Sequence, residues 1–140
     1  KFFSFGKNLV TFELDGHKCG IVICYDIRFC ELIRSLALRG IDMLFMVSQW
    51  PLVRTSHIVT LTKARAIENQ MFVVCCNSCG KTPDAVFGGH SQIIDPWGEV
   101  LGAAGEKQEV ITADCDFGTI KDIRNSINVF NDRKPDLYEL

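Results

Sequence analysis

The sequence predicts an α/β fold, on three observations. Apolar runs of strand length recur, "IVIC" and "MFVVCC" being the plainest, and all fall far short of a membrane span. Two intervening stretches repeat their apolar residues at helical spacing. The order is strand, strand, helix, strand, helix, strand, and then mostly strands, so a layered α/β core with a β-rich flank is expected. At 140 residues the chain suits one domain, residues 1–140, with no repeat, low-complexity tract or linker.

Each element has its own signal. "LVTFEL" (9–14) alternates weakly, Asp15-Gly16 reads as a turn, and "KCGIVIC" (18–24) is a more buried strand, which together predict a hairpin. In "ELIRSLALR" Leu32, Leu36 and Arg39 stand at helical spacing and Gly40 follows as a stop, so a helix is expected over 31–39. "IDMLFMV" is a strand, and "SQWPLVR" (48–54) a loop, because Pro51 forbids a continuing helix. Thr55 or Ser56 is expected to cap a helix reaching about Asn69, followed by the buried strand "MFVVCC". "NSCGKTPDAVFGG" (77–89) reads as an irregular loop, and "HSQIIDPWGEVLG" as a hairpin turning at Asp95-Pro96-Trp97-Gly98. One more strand is expected in "EVITADCD" (109–116), then a short helix over 119–125 and a polar tail.

Composition removes several function classes. Fifteen basic and 17 acidic residues give a net charge of −2 with no block of either sign, which argues against a nucleic-acid groove or an anionic membrane surface as partner. No secretory leader is legible at the start of the chain. Seven cysteines, an odd number mostly inside apolar runs, point to a reducing, cytoplasmic setting rather than a disulfide-stapled domain.

The chemistry concentrates in "GIVICYDIRFCE" (20–31). A strand ends at Cys24, and Tyr25, Asp26, Arg28 and Glu31 follow before a helix. Ligand sites in open α/β sheets gather at the carboxyl ends of strands, and a strand–turn–helix junction exposes a nucleophile. The residues alone leave two readings of Cys24: a packed core thiol, or one delivered to a site.

Four segments then bear on the choice. "GIVICYDIRFCELIRSLALRG" resembles the nucleophile block of the nitrilase superfamily of carbon–nitrogen hydrolases, whose common form is Gly-x-x-Ile-Cys-Tyr-Asp-x-Arg-Phe-Pro-Glu. "RAIENQMFVV" (65–74), "GGHSQIIDPWGEVL" (88–101) and "RKPDLY" (133–138) resemble later blocks, in family order. The resemblance implies a four-layer α-β-β-α sandwich, a homodimer packed through the two long helices, no cofactor and no metal. It also implies Cys24 as the nucleophile that attacks an amide or nitrile, expels ammonia or an amine and leaves an acyl-thioester for water. The backbone N–H of Tyr25 would supply part of the oxyanion hole, while Asp26 and Arg28 brace the turn. Cys30 stands where the family usually has proline.

Two further parts of the family's machinery have no match. Its glutamate base and its lysine precede the nucleophile, whereas Lys7 and Lys18 fall in the wrong blocks and Glu13 belongs to the hairpin. The chain therefore resembles the C-terminal portion of one such domain and is expected to need an N-terminal half; alone, it is expected to be inactive and poorly stable. The competing reading is a catalytically silent fragment or interaction module.

"SQWPLVRTSH" (48–57) resembles the ω-amidase-like branch, which acts on ω-amides of carboxylic or oxo acids. Trp50 is expected to wall an apolar pocket and Arg54 to bind a substrate carboxylate, against the plainer readings of a core-edge indole and a local ion pair. Cys76 and Cys79 of "CCNSC" lack a second ligand pair for zinc, His90 reads as structural, and Glu68 is expected to pair with Arg65.

Overall fold

The Asp15-Gly16 turn holds both residues at positive φ, 49° and 80°, as a two-residue hairpin turn of the primed type requires. It joins β1 (Val10–Leu14) to β2 (His17–Ile23) as the predicted antiparallel hairpin. This is a computed structural model, describing residue 4 and residues 6–138; most of the opening residues read for a leader lie outside the described residues. The chain next forms a short 3₁₀ turn, Cys24–Arg28, then α1 (Cys30–Ala37) and β3 (Met43–Ser48). A second 3₁₀ turn, Leu52–Arg54, leads into α2 (Thr55–Asn69) and β4 (Phe72–Asn77). β5 (Cys79–Lys81) and β6 (Val86–Gly88) form a separate two-stranded ribbon, with Phe87 bridged to Pro51, while β7 (Gln92–Ile94) and β8 (Val100–Ala103) complete the main sheet. α3 (Gly118–Ser126) follows.

The main sheet has six strands in the order β1-β2-β3-β4-β7-β8. β2, β3 and β4 run parallel, with α1 and α2 as the intervening connections, and the flanking pairs are antiparallel. Parallel neighbours need such crossovers, which is why α1 and α2 fall between these strands. One face is sealed: Val22, Leu44, Met46, Val73 and Cys75 pack with Ile33, Leu36 and Ala37 of α1 and Ile58 and Ala66 of α2. The other face is sealed only at one end, where Ile120 and Phe117 cover Cys19, Met43 and Phe72. Toward the carboxyl ends of the parallel strands it stays open, with Ile23 64% and Val47 44% exposed and Val10, Phe12 and Ile21 also exposed.

Three local expectations are corrected. Neither Thr55 nor Ser56 caps α2: both lie inside the helix, which has no side-chain cap, and the Thr55 hydroxyl donates back to the Leu52 carbonyl (2.8 Å) within the preceding turn. The segment 77–89 is not wholly irregular: Cys79 and Lys81 pair with Gly88 and Val86, and the Thr82 N–H donates to the Ala85 carbonyl to close the turn. Residues 109–116 form no strand, and Val110 is 91% exposed. An apolar alternating segment becomes a strand only where a neighbour offers a free backbone row, and none of the described strands pairs with this one.

Candidate active site

Cys24 follows the last residue of β2, the outermost strand of the parallel set and an interior strand of the sheet, between β1 and β3. Its φ is +49°, in the left-handed region that a non-glycine residue rarely enters. Such conformations cost about 1–3 kcal/mol and persist where surrounding contacts over-determine them. Here the contacts come from two directions. Asp26 Oδ2 accepts the Ile23 N–H at 2.9 Å, tying the turn to the strand end. From α2, Arg65 Nε donates to the Ile27 carbonyl at 3.0 Å and its terminal nitrogen to the Arg28 carbonyl at 3.3 Å.

The Arg28 guanidinium lies 4.6 Å from the centroid of the Trp50 ring and 5.7 Å from that of Tyr25, and reaches His57 Nδ1 at 3.4 Å. Asp26 ties the turn to the end of β2 and Arg28 packs it against Trp50, in line with the bracing that the resemblance implied. The Tyr25 ring is exposed and meets Phe29 edge-on, at 5.4 Å between centroids. The first N–H groups of a helical turn have no partner within it, so the N–H of Tyr25 is available to an acceptor outside the turn.

Cys24 is half-buried and lines an open depression of about 500 Å³ together with Ile23, Val47, Ser48 and Gln49. The resemblance placed the loop from Ser48 onward at this mouth, and its members that line the depression are Ser48 and Gln49. Trp50 is only 2% exposed: its N–H donates to Asn77 Oδ1 (2.7 Å) and its indole N–H to the Arg54 carbonyl (2.8 Å). It packs in the core with Arg28 over it, so it does not wall the depression. The Arg54 side chain is exposed, and among the described residues no carboxylate lies within ion-pair distance of it. Neither residue lines the depression. Ser48 and Gln49 were missed, although their position just past an apolar run, at the carboxyl end of β3, was a usable signal.

The remaining candidates have structural surroundings. Glu68 pairs with Arg65 at 2.9 Å, as the three-residue spacing predicted. His90, at φ 56°, places Nδ1 2.7 Å from the Gly88 carbonyl. Cys75 is buried and its thiol is pushed up to about 12 by that burial, with the neighbouring Cys76 and Cys24 thiols adding to it. All seven cysteines are free. Among the described residues no group of three His, Cys, Asp or Glu side chains could hold a metal, and no helix is long and apolar enough to cross a membrane.

Comparison with known proteins gives this geometry its family. Residues 1–125 match the carbon–nitrogen hydrolase family. The chain is 47% identical to a 2-oxoglutaramate amidase of Bacillus subtilis, over 98% of this chain and 53% of that protein. It is 36% identical to the omega-amidase NIT2 of Danio rerio, over 96% of this chain and 50% of that one. Among solved structures it is similar, with a TM-score of 0.83 and 26% identity, to a mutant amidase from Nesterenkonia sp. AN1 showing covalent addition of the acetamide moiety of fluoroacetamide at the active-site cysteine; 97% of this chain and 48% of that one are covered. The chain spans about half the length of the curated relatives it matches. It belongs to the carbon–nitrogen hydrolase family of the nitrilase superfamily, in the ω-amidase-like branch.

Proposed function

We propose that Cys24 is the nucleophile of an amidase that hydrolyses the terminal amide of a small carboxylic or oxo acid. The observation that carries this reading is the thiol's position, left-handed and half-buried at the carboxyl end of an interior parallel strand, facing an open depression. Attack of the thiolate on the amide carbon gives a tetrahedral oxyanion, which the Tyr25 N–H helps to hold. Collapse expels ammonia and leaves an acyl-thioester, and water then releases the acid and restores the thiol. The covalent adduct at the active-site cysteine of the Nesterenkonia amidase supports the same role for Cys24.

Proton transfer and charge stabilisation require groups that this sequence does not offer in matching blocks. We assign them to a glutamate and a lysine carried by a second sheet packed on the open face formed by Val10, Phe12, Ile21, Ile23 and Val47. That packing completes the four-layer sandwich and closes the depression, and without it residues 1–140 are expected to be inactive. α1 and α2 turn their outer faces toward a second copy in a homodimer. The free cysteines suit a reducing, cytoplasmic setting.

The relatives named for 2-oxoglutaramate and ω-amides direct the substrate choice, and Arg54, with no carboxylate partner among the described residues, is the candidate for the substrate's acid group. Trp50 then contributes by fixing the Arg54 backbone through its indole N–H instead of lining the pocket. The test is ammonia release from 2-oxoglutaramate by the full-length protein. Cys24→Ala and Cys24→Ser should abolish it, and retention of activity in both would refute the proposal. Arg54→Ala should slow hydrolysis of acid-bearing amides more than that of uncharged ones; equal losses would remove Arg54 from recognition.

A further inference from the structure

Among the described residues Arg65 is the one charged residue that is buried, at 6% exposure, and it does more than neutralise Glu68. Its guanidinium is spread over three partners. Nε reaches the Ile27 carbonyl at 3.0 Å, one terminal nitrogen the Arg28 carbonyl at 3.3 Å, and the other Glu68 Oε1 at 2.9 Å. Both carbonyls belong to the last residues of the 3₁₀ turn that opens with Cys24. Carbonyls at the end of a helical turn lack internal partners, and Ile27 is fully buried, so no water is at hand to satisfy its oxygen.

The arginine is itself held. Glu68 lies one turn further along α2 and also accepts from Asn69 Nδ2 at 3.4 Å, while the same Asn69 nitrogen donates to the Arg65 carbonyl at 3.0 Å. The carboxylate therefore fixes the guanidinium from the helix side, and the guanidinium fixes the turn from below. At the other end of that turn Asp26 secures the strand junction through the Ile23 N–H. The left-handed Cys24 is thus strung between two anchors, one within the turn and one supplied by a helix 38 residues further along the chain.

We propose that Arg65 is a positioning residue for the amidase reaction: by clamping the Ile27 and Arg28 carbonyls it holds the Cys24 turn in the conformation that aims the thiol at the substrate carbon. This rests on the reading of Cys24 as nucleophile. A planar fork serves two divergent carbonyls and a carboxylate at once, whereas an ammonium carries the charge without the fixed geometry. The clamp acts on the geometry of attack and touches no substrate, so its loss should appear in kcat and leave KM almost unchanged.

The experiment uses the full-length protein, with 2-oxoglutaramate as probe and ammonia release as readout, alongside the rate at which iodoacetamide alkylates Cys24, followed by peptide mass mapping. Arg65→Lys should lower kcat by about 100-fold, the cost of an ångström-scale misplacement of a reacting group, with KM within a factor of about 3 and slower alkylation of Cys24. Glu68→Gln, a gentler change that keeps shape and removes the charge holding the fork, should lower kcat several-fold in the same direction. If Arg65→Lys loses its native circular dichroism, Glu68→Gln decides the matter. An unchanged kcat in whichever variant stays folded, or a rise in KM that accounts for the whole loss, overturns the proposal. Failure of the amidase reading itself looks different, since the unaltered protein would then release no ammonia from the probe.

Discussion

The two faces of the six-stranded sheet are built from the same kinds of residue and end in opposite states. Leu44, Met46, Val73 and Cys75 disappear beneath α1 and α2, whereas Ile23 and Val47, on neighbouring strands, stay in contact with solvent. Alternation along each strand makes both sets apolar, so hydrophobic pattern cannot tell them apart. The covered face is a finished core that fixes where the β2 end, and hence Cys24, must lie. The open face is a contiguous apolar surface beside the same cysteine, of the kind that marks an interaction site. On the proposed reading of Cys24 as nucleophile, its support and the room for its reaction partners are divided between the two sides of one sheet.

The largest expected effect is on the covered face. Leu44→Ala should cost about 2–5 kcal/mol of stability in urea unfolding, since a fully buried leucine leaves a cavity that α1 and α2 cannot fill. A much smaller cost would show that this face is less tightly packed than its burial indicates.

Next comes pH. The Cys75 thiol is raised from 9.0 to about 12 in the folded chain, so the folded state holds its proton where the unfolded state has released it. The stability from this group is complete below about 9 and falls as pH rises toward 12, at no more than about 1.4 kcal/mol per unit. Cys75→Ala should lower the starting stability yet flatten that decline, and an unchanged slope would assign it to other groups. The smallest effect is expected on the open face, where Val47→Ser should change the stability of the isolated chain by less than about 0.5 kcal/mol. The same change in the full-length protein should cost clearly more, and equal effects in both would argue against a second sheet on this face.

How much of this was legible beforehand depends on the range of the forces involved. The Asp15-Gly16 hairpin and the helix after Cys24 were readable because their signals lie within a few residues. Glu68 pairing with Arg65 was readable for the same reason, since three positions on a helix bring side chains together. The strand expected at 109–116 was not a propensity error; its alternation is real, but no described strand offers it an edge. Trp50 misled because an indole is both a large apolar body and a hydrogen-bond donor. The donor end found the Arg54 carbonyl, and the body went into the core. Arg65's grip on Ile27 and Arg28 had no local signal, because nothing near either residue announces a contact 37 or 38 positions away.

The central claim is that Cys24 is delivered to form a covalent acyl intermediate, and the most direct measurement is to look for that bond. The full-length protein would be mixed with 2-oxoglutaramate, quenched in acid during turnover, digested and mapped by mass spectrometry. The account expects an acyl adduct on the peptide carrying Cys24, absent from Cys24→Ala and lost on further incubation. Steady ammonia release with Cys24 unmodified throughout, and undiminished in Cys24→Ala, would contradict it.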